Sequence, residues 1–132
     1  MASGIRYEMA ASIVPQGTAG TTQATVLGRA RRAGILAAAR FLPVGAGATS
    51  GTNYRTWTIQ NRGQDGTGTT TMATLDTSAV SNVAYDERAF TLSGTAANLV
   101  VAEGDIIAVV ETVAGSGLAH TGARVEALFD PA

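Results

Sequence analysis

The 132-residue sequence contains no cysteine and no lysine, and His120 is its only histidine. Without cysteine, neither disulfide bonds nor thiolate metal sites can stabilise the fold. One histidine cannot supply a multi-histidine metal centre from a single chain. We therefore expect a protein that uses no metal ion and no cofactor.

Long apolar runs are also missing. The sequence has no stretch of about 20 consecutive apolar residues that would span a membrane. Met1 to Ala11 lack the basic start and the apolar run of a secretion signal. We therefore expect a soluble protein with no membrane partner and no export signal of its own.

Charged and aromatic residues are scarce. Only 14% of the chain is charged, against about 25% in an average soluble domain, and 5% is aromatic. The 25 alanines predict a small core, and the 16 glycines and 18 threonines favour turns and strands over long helices. The surface must therefore be largely uncharged, and we expect much of it to contact a partner.

The charges are unevenly distributed along the chain. Up to Arg62 there are seven arginines and one acid, a net charge of +6, and from Gly63 onward two arginines and nine acids, a net charge of −7. Either a basic segment binds an acidic partner or a neighbouring copy, or the two halves pair within one domain. The overall charge of −1 argues against general binding of nucleic acid, which needs an extended basic face.

Residues 1–25 are small, polar and irregular, and we interpret them as an extended N-terminal arm ahead of a domain formed by residues 26–132. Within the arm, an alternating pattern and further apolar residues exceed what a free tail requires: Ile5, Tyr7, Met9, Ile13 and Val14. Such an arm can add a strand to a neighbouring surface. The alternative is an N-terminal strand of the domain's own sheet.

The densest basic cluster comprises Arg29, Arg31 and Arg32. Arginines can bind an acidic partner through bidentate pairs. A solvated charged edge that prevents strand pairing is the ordinary alternative. Together with the five apolar residues of the arm, these arginines are the candidate interface residues.

The remaining chain has the pattern of a β protein. Residues 26–42 are compatible with a helix or with a strand, and we favour a strand. Further strands are predicted at 55–60, 70–75, 90–92, 99–102, 106–113 and 124–129. Asp65-Gly66 is a favoured hairpin pair. Short strands at intervals of about 10 residues predict an all-β fold, an antiparallel β-sandwich or barrel.

Two strands give more specific expectations. Arg55, Trp57 and Ile59 alternate with polar residues, which places Trp57 in the core rather than on the surface as a sugar platform. The run from Ile106 to Val113 is apolar on both faces, which indicates either a sandwich interior or a subunit interface.

Residues that would carry catalysis are not found together. His120 lies in a glycine-flanked loop, which predicts a solvated or capping side chain, and no serine has the G-x-S-x-G context of a hydrolase nucleophile. Asp86 and Glu87 are adjacent, so on a strand their side chains would point to opposite faces. We therefore expect a protein that is not an enzyme.

Four segments resemble a known family. They are residues 53–63 (NYRTWTIQNRG), 68–75 (GTTTMATL), 84–93 (AYDERAFTLS) and 98–105 (NLVVAEGD). Their succession resembles the capsid decoration, or cement, proteins encoded beside the major capsid gene of tailed bacteriophages.

The resemblance implies a jelly-roll-like β-sandwich that assembles as a homotrimer on the outer capsid surface of the virion. There it would bind the major capsid protein where capsomers meet at threefold and quasi-threefold positions, with the N-terminal arm touching the shell. The alternative is a carbohydrate- or receptor-binding module of a phage fibre or head appendage, which would use the loops at one end of the sandwich.

Overall fold

Ten strands form the framework of the computed structural model, which describes residues 5–17 and 20–132. In chain order they are β1 (Tyr7–Ile13), β2 (Gln23–Arg29), β3 (Gly34–Pro43), β4 (Arg55–Asn61), β5 (Thr70–Asp76), β6 (Arg88–Ala89), β7 (Thr91–Leu92), β8 (Val100–Val101), β9 (Ile106–Val113) and β10 (Ala123–Pro131). A short 3₁₀ helix, Ala96–Leu99, precedes β8.

The strands form two antiparallel sheets. The first sheet has the order β1-β10-β3-β6, with β8 also paired to β3, and the second has the order β2-β9-β4-β5-β7. Inward-facing side chains of both sheets form one hydrophobic core. The prediction of an all-β antiparallel sandwich is confirmed.

Aromatic residues fill the centre of this core. Trp57 on β4 is 0% exposed, as its alternation with polar residues predicted, and its ring centroid lies 4.5 Å from that of Phe41 on β3. Phe41 also meets the edge of Phe90 at 6.2 Å. These contacts join the two sheets across the sandwich.

The N-terminal segment corrects the prediction of an arm. β1 pairs with β10 in continuous register, and Tyr7 stacks on Phe129 with ring centroids 5.1 Å apart. Tyr7, Met9 and Ile13 are buried, because the period of two brings them to one face of an edge strand. Residues 7–13 are therefore a strand of the domain's own sheet, the alternative interpretation, and the predicted boundary after residue 25 lies inside β2. Residues 1–4 and 18–19 of the predicted arm lie outside the described residues.

Residues 26–42 are extended, as we favoured, but they contribute to two strands in different sheets. β2 ends at Arg29, and a turn over residues 30–33 leads into β3. Gly28 has φ 149° at a bulge where the pairing register of β2 with β9 shifts. This conformation favours glycine and is incompatible with a helix through this position.

The predicted strand at 90–92 is divided between the two sheets. β6 pairs with β3 in the first sheet, whereas β7 pairs with β5 in the second. Phe90 lies between them and is buried. The chain therefore crosses from one layer to the other at a core residue rather than through a loop.

We predict that Met9→Ala lowers the free energy of unfolding by about 2–5 kcal/mol, because it leaves a cavity beneath β1. Urea unfolding at neutral pH measures the change. Ile5→Ala is the control, since Ile5 is 81% exposed and its removal leaves no cavity. Equal, near-zero effects of both substitutions would show that residues 7–13 do not pack as β1.

Candidate functional site

The outer faces of the two sheets differ in charge. Charged side chains of both signs project from the outer face of the first sheet, beside exposed apolar residues such as Ile35 and Val100. The charged residues are Glu8, Arg40, Arg124, Glu126 and Asp130. They form exposed or half-exposed ion pairs, including Arg124 to Glu126 at 3.0 Å and Arg6 to Asp130 at 2.5 Å. Such a face is well hydrated and costly to bury.

The second sheet presents an uncharged outer face. Two rows of paired residues cross its strands, and their side chains are apolar or neutral polar. The first row is Ala24, Val110, Thr58, Thr74 and Thr91, and the second is Val26, Ala108, Gln60 and Thr71. We call these nine residues the neutral face. Charged side chains of the described residues lie at its two ends, Asp76 at one and Arg29 and Arg62 at the other, where the Arg62 guanidinium donates to Gln60 at 2.8 Å.

One half of the neutral face is a shallow apolar groove. The groove has a volume of about 410 Å³, and its walls are formed by Ala24, Val26, Ile106, Ala108 and Val110, with Arg62 and Gly66 at one end. Val26 is 63% exposed. The groove is a surface that gains free energy when a partner covers it.

The position of the groove bears on β9, whose run from Ile106 to Val113 is apolar on both faces and predicted either a sandwich interior or a subunit interface. On β9, Ile107 and Val109 point into the sandwich, whereas Ile106, Ala108 and Val110 line the outer groove. The inward side is therefore sandwich interior. The subunit interface stays a prediction, and it concerns the outward side alone.

A cluster of polar groups lies directly behind the neutral face, on the inward side of β4 and β9. Its centre is the Glu111 carboxylate, which is 1% exposed. Arg55 Nη1 donates to Oε2 at 2.6 Å, and Trp57 Nε1 donates to Oε1 at 2.7 Å. We call Glu111, Arg55, Trp57 and His120 the Glu111 cluster. An ion pair at this depth is favourable only because hydrogen bonds satisfy both partners.

His120 is a buried member of this cluster, which corrects the solvated side chain expected from its loop position. Its Nε2 lies 3.0 Å from Glu111 Oε1, although the angle falls outside that of a conventional hydrogen bond. Its Nδ1 accepts the backbone N–H of Gly122 at 3.1 Å, so the capping part of the expectation is confirmed. Because Nδ1 is an acceptor, Nε2 is the ring nitrogen that carries a proton, on the side that faces Glu111.

Arg55 extends the cluster to two loops. Its guanidinium donates to the backbone oxygens of Gly17 at 2.9 Å and Leu118 at 2.5 Å, and to the side-chain oxygen of Gln16 at 2.7 Å. The segment after β1 and the loop before β10 are thereby fastened to β4. Pairing between the basic and acidic halves thus occurs inside one domain, as one of the two interpretations of the charge layout predicted.

The predicted interface residues are dispersed. Of the apolar set, only Ile5 and Val14 are exposed. Arg29 donates to the backbone oxygen of Gly104 at 2.9 Å, Arg31 is exposed, and Arg32 bonds to the backbone oxygen of Ile5. No carboxylate among the described residues pairs with these three arginines.

The neutral face was missed at the sequence level, although part of its signal was present. Thr56, Thr58 and Gln60 alternate with core residues, and β9 is apolar on its outward side. Which residues stand beside one another depends on strand register, which joins Val26 to Ala108 and Ala108 to Gln60 across long stretches of chain.

We predict that Glu111→Gln lowers the free energy of unfolding by about 3–5 kcal/mol, since it leaves the Arg55 charge buried without its counterion. Urea unfolding at neutral pH provides the measurement. Glu103→Gln is the matched control on an exposed turn and should change stability by no more than about 0.5 kcal/mol. A similar small change for both variants would contradict a central role of the cluster.

Acid should destabilise the fold through two buried carboxyls. Burial raises the pKa of Glu111, but the contact of His120, the Trp57 hydrogen bond and the Arg55 charge outweigh it, so the pKa lies below its ordinary value of 4.5. Burial likewise raises the pKa of Asp105, but hydrogen bonds from Ala102, Asn61 and Gln64 outweigh the effect of burial. The pKa of Asp105 therefore also lies below its ordinary value, which is 3.8.

A depressed folded-state pKa contributes stability above the unfolded-state pKa and loses it as the pH falls through the folded-state value. The urea midpoint should therefore be steady near neutrality and fall progressively once the pH drops below the ordinary carboxyl range. The urea midpoint of Glu111→Gln should be lower than that of the wild type at neutral pH and should decrease less as the pH falls. A wild-type midpoint independent of pH throughout the acid range would contradict the assignment, and so would an unchanged slope in the variant.

Metal sites and membrane-spanning helices were also sought among the described residues. Across residues 5–17 and 20–132, no group of three or more His, Asp or Glu side chains is placed to hold a metal ion. None of the described segments forms a helix with the length and apolar character that crossing a membrane needs. No protein-family model matches the chain, and neither curated proteins nor solved structures give a match.

Proposed function

We propose that this chain is a structural protein of a tailed-bacteriophage virion that binds the outer surface of the assembled capsid and stabilises it. The observation that carries the proposal is the contrast between the two outer faces of the sandwich, one charged and hydrated and one neutral. The resemblance of four sequence segments to capsid decoration proteins supports the same function and suggests the major capsid protein as the partner.

The neutral face suits permanent contact with another protein. Covering its apolar groove gains about 25 cal/mol for each Å² of apolar surface removed from water. Its threonine and glutamine side chains can exchange water for hydrogen bonds with a partner, and the nine residues themselves carry no charge that would have to be desolvated. The opposite, charged face remains suited to water.

Cementing a shell requires binding rather than chemistry. A protein that binds the assembled lattice and not its separated subunits stabilises the lattice by mass action. Many copies, or a homotrimer that contacts several capsomers, multiply weak contacts through avidity. In this proposal the protein is not an enzyme, and it acts at the threefold and quasi-threefold positions of the outer capsid surface.

We predict that Val26→Glu reduces binding to expanded capsid shells by about tenfold or more, because it places a charge in the groove of the neutral face. The shells are assembled from the major capsid protein proposed as the partner, and binding is measured by co-sedimentation. Val100→Glu is the matched control. Val100 is a 50% exposed strand residue on the outer face of the first sheet, and Val26 is 63% exposed, so both variants should fold.

Saturable binding of the wild type, loss with Val26→Glu and retention with Val100→Glu are the expected results. Equal loss with both variants would show that the neutral face is not the contact. No binding of the wild type to expanded shells, combined with saturable binding to a glycan on an array, would replace the proposal with the carbohydrate-binding alternative.

A further inference from the structure

The arginines of the chain fall into two groups by their partners. Four of them pair with a carboxylate of the same chain: Arg6, Arg40, Arg55 and Arg124. Arg62 and Arg88 bond to neutral side-chain oxygens, those of Gln60 and Asn82, at 2.8 and 2.9 Å. The remaining three lie together at residues 29–32, between β2 and β3. They adjoin the turn of Glu103 to Asp105 through backbone oxygens, but none forms an ion pair with a carboxylate of the described residues. We call residues 29–32 the basic turn.

A second unusual surface lies in the loop of residues 80–87, before β6, which we call the Tyr85 loop. Its tip is apolar, with Val80 and Val83 exposed and Tyr85 81% exposed. Asp86 follows, exposed and without an arginine partner among the described residues, whereas Glu87 is paired with Arg40 at 3.6 Å. The loop therefore combines an aromatic ring with an unpaired negative charge.

Tyr85 is held in a strained conformation. Its φ of 60° is the only positive value of a non-glycine residue in the described part of the chain, and this region is unfavourable for a bulky side chain. The ring is exposed, so packing within the chain does not offset the strain. Strained backbone and exposed aromatic residues are typical of binding sites.

The Tyr85 loop is rigidly braced despite its exposure. Tyr85 N–H donates to the backbone oxygen of Pro43 at 2.8 Å, and Asn82 exchanges two backbone hydrogen bonds with Gly47. Arg88 fixes the Asn82 side chain and donates to the backbone oxygen of Asp76 at 2.8 Å. A braced loop binds a partner with little loss of conformational entropy.

The basic turn and the Tyr85 loop cannot meet within one chain. The basic turn precedes Gly34 at the start of β3, and the Tyr85 loop is bonded to Pro43 at its end. Ten extended residues separate the two ends by about 30 Å at about 3.3 Å per residue. Opposite charges at opposite ends of a domain are complementary only between two copies.

We infer that the basic turn of one copy docks against the Tyr85 loop of the next. Arg31 or Arg29 pairs with Asp86, and a guanidinium covers the Tyr85 ring. The chain already shows the second contact internally, since the guanidinium of Arg32 lies 5.4 Å from the Tyr7 ring centroid. The inference rests on the self-association included in the proposed function and assigns the residues that produce it.

The contact is head-to-tail, because different surfaces of the two copies meet. Head-to-tail contacts generate a ring when the rotation closes and a filament when it does not. A three-membered ring is the closed form that the homotrimer requires. None of the nine residues of the neutral face belongs to the basic turn or to the Tyr85 loop.

Charge reversal and rescue test the contact. Association of the full chain is measured by sedimentation equilibrium, from micromolar to millimolar concentration and at low and high salt. Arg31→Glu and Asp86→Arg should each weaken association by about tenfold or more, and the double variant should restore it. Glu8→Arg, which reverses an exposed glutamate on the outer face of the first sheet, is the control and should leave association unchanged.

The variant Tyr85→Gly distinguishes a role of Tyr85 in association from a role in stabilising the fold. Glycine tolerates φ 60°, so the variant should raise the urea midpoint of the monomer and at the same time weaken association. A residue with only a structural role would not change the two measurements in opposite directions. A variant that loses stability, or that associates like the wild type, would contradict the assigned role of Tyr85.

Three results would overturn the inference: a wild-type chain that is monomeric at millimolar concentration in low salt, single charge reversals without effect, or a double variant that is not rescued. Capsid binding is scored separately through Val26→Glu. If the double variant restores association but the wild type does not bind shells, the capsid proposal is wrong and this contact stands. If the wild type binds shells but the double variant does not restore association, this contact is wrong and the capsid proposal stands.

Discussion

The carboxylate of Glu111 lies between the two sheets, where an unpaired charge costs several kcal/mol. Its position is tolerable only while Arg55, Trp57 and His120 surround it. Arg55 in turn is satisfied only while the backbone oxygens of residues 17 and 118 face its guanidinium. One buried negative charge therefore requires a definite arrangement of β4, β9 and the two neighbouring loops, which a purely apolar core of alanines and valines would specify less strictly.

This requirement reaches the outer surface through the period of two of a β-strand. Trp57 and Glu111 are cross-strand partners on the inward side, so their neighbours Thr56, Thr58 and Val110 are fixed on the outward side. The neutral face is thus a rigid surface whose side-chain positions follow from the cluster behind it. A small core can present such a face because the polar network supplies the specificity that few aromatic residues would otherwise provide.

How far the sequence predicted this structure depends on the range of the interactions. The strands at 55–60, 70–75 and 106–113 follow from local patterns, which are alternation in the first and a continuous apolar run in the last. The structure confirms these strands and the burial of Trp57. The alternation of Tyr7 and Met9 was also visible, but an alternating edge strand and an alternating arm look the same until the partner strand is known. Burial of His120 depends on Glu111, nine residues away, and the strand switch at Phe90 depends on two sheets at once.

The neutral face could not be derived from sequence for a similar reason. Its rows combine residues from five strands, and a shift of one residue in any pairing would turn that strand's threonines and valines toward the core. Local patterns give the two faces of each strand. Only the assembled sheet shows that the uncharged sides lie on one layer and the charged sides on the other.

The charged face of the first sheet has a consequence for a particle coated in the proposed way. With the neutral face against the shell, Glu8, Arg40, Arg124 and Glu126 would point toward the medium. Their alternating signs bind water strongly yet produce little field at a distance, since opposite charges a few ångströms apart cancel beyond about one Debye length of 8–10 Å. Such a coat would leave the particles without long-range electrostatic attraction or repulsion, so that short-range hydration of the charged side chains would govern their contacts with one another and with other surfaces.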